Sequence, residues 1–191
     1  MKISSDKITD LYLQSISVND ANQTYVDWLN DPLINQYLET RFYQQDMDAV
    51  ISFINSMIAN PNEHLFTIRR TEDHSHVGNI KIGAINTTHN IGEVSLFIGD
   101  KDVWGKGYAT KAIKLISCYA IENLNLRKLS AGAYKPNIAS TKAFLKAGYI
   151  EDGILKNHYL LNNVPCDLVE VCMFSDQKNQ LPTLITENFH S

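Results

Sequence analysis

An α/β fold, a single domain over residues 1–191 with a mixed, mainly antiparallel sheet flanked by helices, is predicted from three observations. The apolar period changes along the chain: helical spacing dominates before His64, strand-like segments follow, and helical spacing returns after Gly107. Three strand-like segments joined by short, turn-rich loops make an antiparallel meander. Beyond it, strands alternate with helices, which calls for a mixed sheet. A chain of 191 residues fits one domain.

The elements follow in order. Leu11–Ile16 reads as a first strand, and Asn19-Asp20 offers caps for a helix whose apolar face is Ala21, Tyr25, Trp28 and Leu29, ended by Asp31-Pro32. A short helix is expected over Leu33–Leu38. A longer one covers Met47–Ile58, where Met47, Val50, Ile51, Ile54, Met57 and Ile58 recur at helical spacing. The meander strands are His64–Arg70, His76–Ile85 and Gly92–Gly99. Ala109, Ala112, Ile113, Ile116, Tyr119 and Ala120 mark one face of a helix that starts at Gly107 and ends near Asn123. Lys128–Ala133 is a strand, and Asn137 caps a helix that Gly148 terminates. Tyr149–Leu155 and Asp167–Phe174 close the sheet around a turn at Asn162-Asn163.

Composition excludes several classes. Seventeen Lys+Arg against twenty-one Asp+Glu give a net charge of −4, so the broad positive field that nonspecific nucleic-acid or anionic-membrane binding needs is missing. No apolar run is long enough to span a bilayer, and the charged stretch Met1–Asp10 is not a secretory signal, so a soluble, cytoplasmic protein is expected. Cys118, Cys166 and Cys172 form no C-x-x-C pair and read as small buried hydrophobes. His74 and His76 read as solvated turn residues with no third ligand at metal-binding spacing, and no metal site is expected.

The chemistry concentrates between Phe97 and Thr110. A strand ends, Gly105 and Gly107 follow, and an amphipathic helix begins at once, so unpaired backbone N–H groups converge with the positive end of the helix dipole. Side-chain-free backbone at Gly105 and Gly107, with Lys106 between them, suits a phosphate. Gly-x-Gly alone also reads as a structural turn. A Walker A loop is excluded because Gly105-Lys106 is followed by Gly107, and a dinucleotide fingerprint because Thr110 stands where the third glycine belongs.

With Gly92–Ile98 before it and Asn137-Ile138-Ala139-Ser140 through Lys146-Ala147-Gly148-Tyr149 after it, the run Trp104-Gly105-Lys106-Gly107-Tyr108-Ala109-Thr110 resembles the GNAT superfamily of N-acetyltransferases, especially the branch of ribosomal-protein N-terminal acetyltransferases. The resemblance spans nearly the whole chain. Trp104 departs from the Arg or Gln that usually opens the motif, while Gly107 and Ala109 match its last fixed positions.

The resemblance implies acetyl-CoA as donor, bound by Gly105, Lys106, Gly107, Tyr108, Ala109 and Thr110 at its pyrophosphate. Pantetheine is expected in the opening where the strand ending at Phe97 and Ile98 splays from a parallel neighbour, with Asn137 holding the arm. Glu93 is the candidate base, its structural alternative being an exposed strand residue paired to a lysine. Ser140 is the candidate acid or thiolate partner, since some members of this branch carry Asn-x-x-Ser at that point, its alternative being a helix-start hydroxyl bonded to backbone; many relatives instead use a tyrosine one turn further on, where Phe144 stands here and cannot supply a proton. His89 and His158 are candidate substrate contacts. Arg41, in the segment expected over the acceptor, is a candidate for an acceptor phosphate or carboxylate, its alternative being a surface ion pair. The expected activity is acetyl transfer to a primary amine, on an amino sugar, possibly nucleotide-linked, or on a protein N-terminus. The alternative is a catalytically weak acyl-CoA-binding module.

Overall fold

The computed structural model describes residues 1–188. Its strands form one sheet in the order β7-β8-β6-β5-β4-β3-β2-β1-β9, where β1 is Lys2–Ser5, β2 Leu11–Ser15, β3 His64–Arg70, β4 His76–Asn86, β5 Ile91–Ile98, β6 Lys128–Tyr134, β7 Ile150–Leu161, β8 Val164–Phe174 and β9 Leu184–Glu187. All neighbours are antiparallel except β5 and β6. The meander β3-β4-β5 therefore stands as expected, and the parallel step falls where a helix crosses over between strands.

Helices cover both faces. On one face, α4 (Tyr108–Glu122) and α5 (Ile138–Ala147) pack on a continuous core that includes Ile80, Val94, Ile113, Ile116, Leu129 and Met173. On the other, α1 (Gln23–Asn30) and α3 (Met47–Ala59) bury Tyr25, Leu29, Val50 and Ile54 against Leu65, with Trp28 and Phe97 at the edge. Each large apolar side chain buried in this way contributes roughly 1.5–3 kcal/mol against solvent exposure. Side chains along β5 thus alternate: Val94, Leu96 and Ile98 face α4, while Glu93, Ser95 and Phe97 face the α1/α3 side.

Several expected boundaries shift for identifiable reasons. Asn22 caps α1, accepting from Tyr25 N at 3.0 Å, because Asp20 is committed to a buried ion pair with Arg69. The helix expected over Leu33–Leu38 is a single turn, α2 (Pro32–Asn35), capped by Asp31 and followed by a 3₁₀ turn at Glu39–Phe42. The β7–β8 hairpin is longer than its polar residues suggest. Asn162 and Asn163 both take positive φ, 52° and 63°, forming the tight turn, and a bulge at Asn157 is held by Asp167, whose Oδ1 accepts from Asn157 N at 3.1 Å. His76 is not a solvated turn residue. Its ring lies between Trp28 and Tyr25, with Nε2 2.6 Å from Asn79 Oδ1. All three cysteines are buried and free.

Candidate active site

The phosphate-binding loop grows out of the end of β5. Gly99 N and Asp100 N both donate to Val77 O, and the Trp28 ring occupies the space a Cβ at Gly99 would fill, so only glycine permits this packing. Asp100 then caps a 3₁₀ turn, Lys101–Val103, by accepting from Asp102 N at 2.9 Å. Trp104, the departure from the family motif, donates its indole Nε1–H to Ile98 O at 3.0 Å and closes the loop onto the strand. Gly105 and Gly107 follow with φ of 74° and 83°, a region that disfavours any residue with a Cβ. Among the described residues, the backbone N–H groups of Gly105, Gly107, Tyr108, Ala109 and Thr110 have no acceptor. A Cβ at Gly105 would meet nothing within 4 Å, so the cradle is open. Unpaired donors at the positive end of a fifteen-residue helix, with Lys106 exposed beside them, fit a pyrophosphate.

The second feature is the parallel pair. β5 and β6 are in register only at Ile91↔Lys128, Gly92↔Leu129 and Glu93↔Ser130, and beyond these residues the strands no longer pair with each other. The opening therefore begins at Glu93 and Ser130 and widens toward Phe97 and Tyr134. The side chains of Phe97 and Ile98 are engaged in the two cores, leaving their backbone to line it. Because β5 and β6 run the same way, each is followed by a helix starting at this same end, and the N-termini of α4 and α5 both border the opening.

At the start of α5, Asn137 Oδ1 accepts from Ser140 N at 3.2 Å, so the capping role is real, while its Nδ2 makes no hydrogen bond within the described residues. The Ser140 hydroxyl likewise has no partner there. One turn on, Phe144 is buried against Tyr149, with ring centroids 5.0 Å apart. The Tyr149 hydroxyl is bonded to Ser117 at 2.8 Å, and burial raises its pKa, so neither aromatic supplies a proton to the opening.

On the α1/α3 face, Glu93 is exposed at the apex of the opening and makes no ion pair among the described residues. Glu170, across β6 and opposite Gly132, also lacks one. The cations nearby are engaged: Lys128 lies 2.6 Å from Asp152, and Lys81 lies 2.8 Å from Glu63. Glu63 was not legible as a site residue, because its surroundings come from strands that follow it in sequence.

Arg41 lies against β6 and β7, and its guanidinium is turned inward. It donates to Leu38 O at 2.8 Å, to the Tyr134 hydroxyl at 2.8 Å and to Leu160 O at 3.3 Å, with Glu39 at 3.5 Å and its side chain only 12% exposed. Tyr134 in turn stacks on Tyr159. His158 packs edge-on against Tyr159 and is exposed next to this aromatic group. His89 lies in the β4–β5 turn, where its carbonyl accepts from Arg127, beyond the paired end of β5 and away from the opening. Among the described residues no group of His, Cys, Asp or Glu is placed to hold a metal, and no helix is long and apolar enough to cross a membrane.

A split parallel strand pair, an anion cradle at one helix N-terminus and a second helix N-terminus beside it define an acyl-CoA-dependent transferase. Residues 10–150 match the acetyltransferase (GNAT) domain model, and the chain belongs to this family. It is an N-acetyltransferase with acetyl-CoA as its donor. Among its relatives, a probable N-acetyltransferase, YjcK, of Bacillus subtilis (strain 168) is 31% identical over 167 residues, covering 81% of this chain and 88% of the relative. A spermidine N(1)-acetyltransferase of Escherichia coli (strain K12) is 30% identical over 105 residues, 55% of this chain and 56% of that one. The fold is also that of the spermidine N-acetyltransferase from Vibrio cholerae solved with CoA and spermine, with a TM-score of 0.80 at 20% identity over 89% of this chain and 98% of that chain.

Proposed function

We propose that the chain acetylates a primary amine of a small, cationic acceptor, with Glu93 accepting the amine proton. The observation that carries this reading is the pair of carboxylates, Glu93 and Glu170, left without a cation partner on the face where the strands split. A positively charged acceptor supplies the missing countercharge. The relatives whose names state a substrate act on spermidine, which agrees with this chemistry. The internal satisfaction of Arg41 weighs against a nucleotide-linked amino sugar, whose phosphates would compete with three good acceptors. A protein N-terminus, the acceptor type of the ribosomal-protein branch, lacks a specific supporting contact here.

In this reading the cradle from Gly105 to Thr110, with Lys106, holds the pyrophosphate, and the backbone at Phe97 and Ile98 pairs with pantetheine. The free Nδ2 of Asn137 donates to the arm. The neutral amine attacks the thioester carbonyl, the C–S bond breaks, and the amine proton passes to Glu93 directly or through water. The Ser140 hydroxyl donates to the departing thiolate.

The test is thiol release from acetyl-CoA with spermidine, a nucleotide-linked amino sugar and a peptide with a free N-terminus as acceptors. Spermidine is expected to give the highest kcat/KM. Preferred turnover of either other acceptor would overturn the small-cation assignment while leaving the acetyltransferase activity in place.

A further inference from the structure

Glu63 stands just before β3, in none of the elements that border the opening, yet its carboxylate reaches the catalytic face. Its Oε1 accepts from Ala84 N at 3.0 Å, and Oε2 fills the space a Cβ at Gly83 would take. The carboxylate thus occupies the place of a side chain at position 83. Gly83 is directly opposite Glu93 in the β4–β5 pair, so that place is on the same face as Glu93. Just beyond, Ala84 takes φ 47° and the register slips between Gly83 and Asn86. The Ala84 N–H freed by this bulge is the one Glu63 receives.

Lys81 gives this arrangement its consequence. It is opposite Ser95, which makes it the diagonal neighbour of Glu93 on one face of an antiparallel pair, within reach for a long side chain. Its ammonium is instead 2.8 Å from Glu63 Oε2, an oxygen that is buried and has no aligned hydrogen bond. The other charged groups around Glu93 do not take this role. Lys128 on β6 is held by Asp152 of β7, Arg127 donates to His89 O in the preceding turn, Glu170 on β8 is itself anionic, and Ser95 and Ser130 are neutral.

We infer that Glu63 is a positioning residue that holds Lys81 away from Glu93, leaving Glu93 free to receive the cationic amine and its proton. The inference rests on the reading of Glu93 as the base. With the Glu63 charge removed, Lys81 swings to Glu93, stabilises its ionised form, and both weakens it as a base and repels the acceptor.

The experiment measures kcat/KM against pH for Glu63→Gln, which keeps an oxygen for Ala84 N and so preserves the bulge. The acid limb should move to lower pH by about one unit, the KM for spermidine should rise, and the KM for acetyl-CoA should stay constant. Adding Lys81→Met to Glu63→Gln should return the limb and the spermidine KM to parental values, as coupling through one pair requires. An unmoved limb in Glu63→Gln, or a loss that Lys81→Met does not rescue, overturns the inference and assigns Glu63 to the bulge alone. Glu93→Gln, measured alongside, separates the two readings. If it abolishes turnover while Glu63→Gln leaves the limb in place, the base stands and the role of Glu63 falls. If it retains turnover, the base reading falls and takes this inference with it.

Discussion

Glu93 differs from Asp152, Glu63 and Asp167 in what surrounds it: each of those has a lysine within 3.1 Å, whereas Glu93, like Glu170, has none. A carboxylate with no competing cation can take a proton from an attacking amine. Glu93→Gln should therefore lower turnover by roughly 10² to 10⁴ with acetyl-CoA affinity intact, measured by steady-state kinetics and calorimetric titration together. Ser140→Ala should cost less, because water can protonate the thiolate in its place. A loss equal to that at Glu93 would reverse the ranking. At Arg41, the inward guanidinium changes the expected outcome from binding to stability. It joins the 3₁₀ turn at Glu39–Phe42 to β6 and β7 through Tyr134 and Leu160. Arg41→Ala should destabilise by about 2 kcal/mol as charged hydrogen bonds are lost, a Tm decrease on the order of 5 °C for a chain of this size. The KM for acetyl-CoA should be unchanged. A large increase in acceptor KM with unchanged Tm would restore Arg41 as a direct contact. The partners of Arg41 were not legible in the sequence, since two of the three lie more than ninety residues away.

The elements show why some parts of the site could be read early. The loop before α4 is local: two glycines, a helix start and free N–H groups within a few residues, all encoded without reference to the rest of the chain. Gly107→Asp would force a side chain into φ 83° and place a negative charge among donors meant for an anion, so acetyl-CoA binding should fall steeply. Unchanged affinity by calorimetry would remove the loop from the coenzyme site. The split of β5 from β6 is a pairing property, and only the family resemblance anticipated it. The bulge at Gly83–Asn86 and the carboxylate that fills it depend on packing between separate strands, so no periodicity signals them. The hairpin of β7 and β8 falls between these cases. Its Asn162-Asn163 turn was plain, whereas the continuation of β7 through Asn157 depends on Asp167, held well below the usual carboxylate range at about 2 by the Asn157 N–H, Lys156 and Lys135.

Across the whole molecule, the sheet is wider than its periodic segments. The edge pairs β1 and β9 are four residues each and alternate poorly, so their strand character comes from β2 and from each other. Both helical layers meet this sheet, and each packs against a half-buried imidazole. His76 sits between Trp28 and Tyr25 at the edge of the α1/α3 layer, beneath the loop that starts at Gly99, and donates to Asn79. His64 packs against Tyr119 of α4. Burial pushes both imidazoles below their ordinary value, so the neutral form is the one the fold accommodates. In the unfolded chain each titrates near about 6.5. Between that value and the lower folded one, the unfolded state binds more protons, and stability falls as pH decreases. The contribution is complete above the unfolded value and is lost as pH drops through the folded one. The expected Tm is level from pH 8 to 7 and declines toward pH 5. His76→Gln keeps a donor for Asn79 but has no proton to gain, so it should flatten that decline, leaving the part due to His64. A decline as steep in the variant as in the parent would mean that the acid sensitivity of the fold originates elsewhere than at this buried ring.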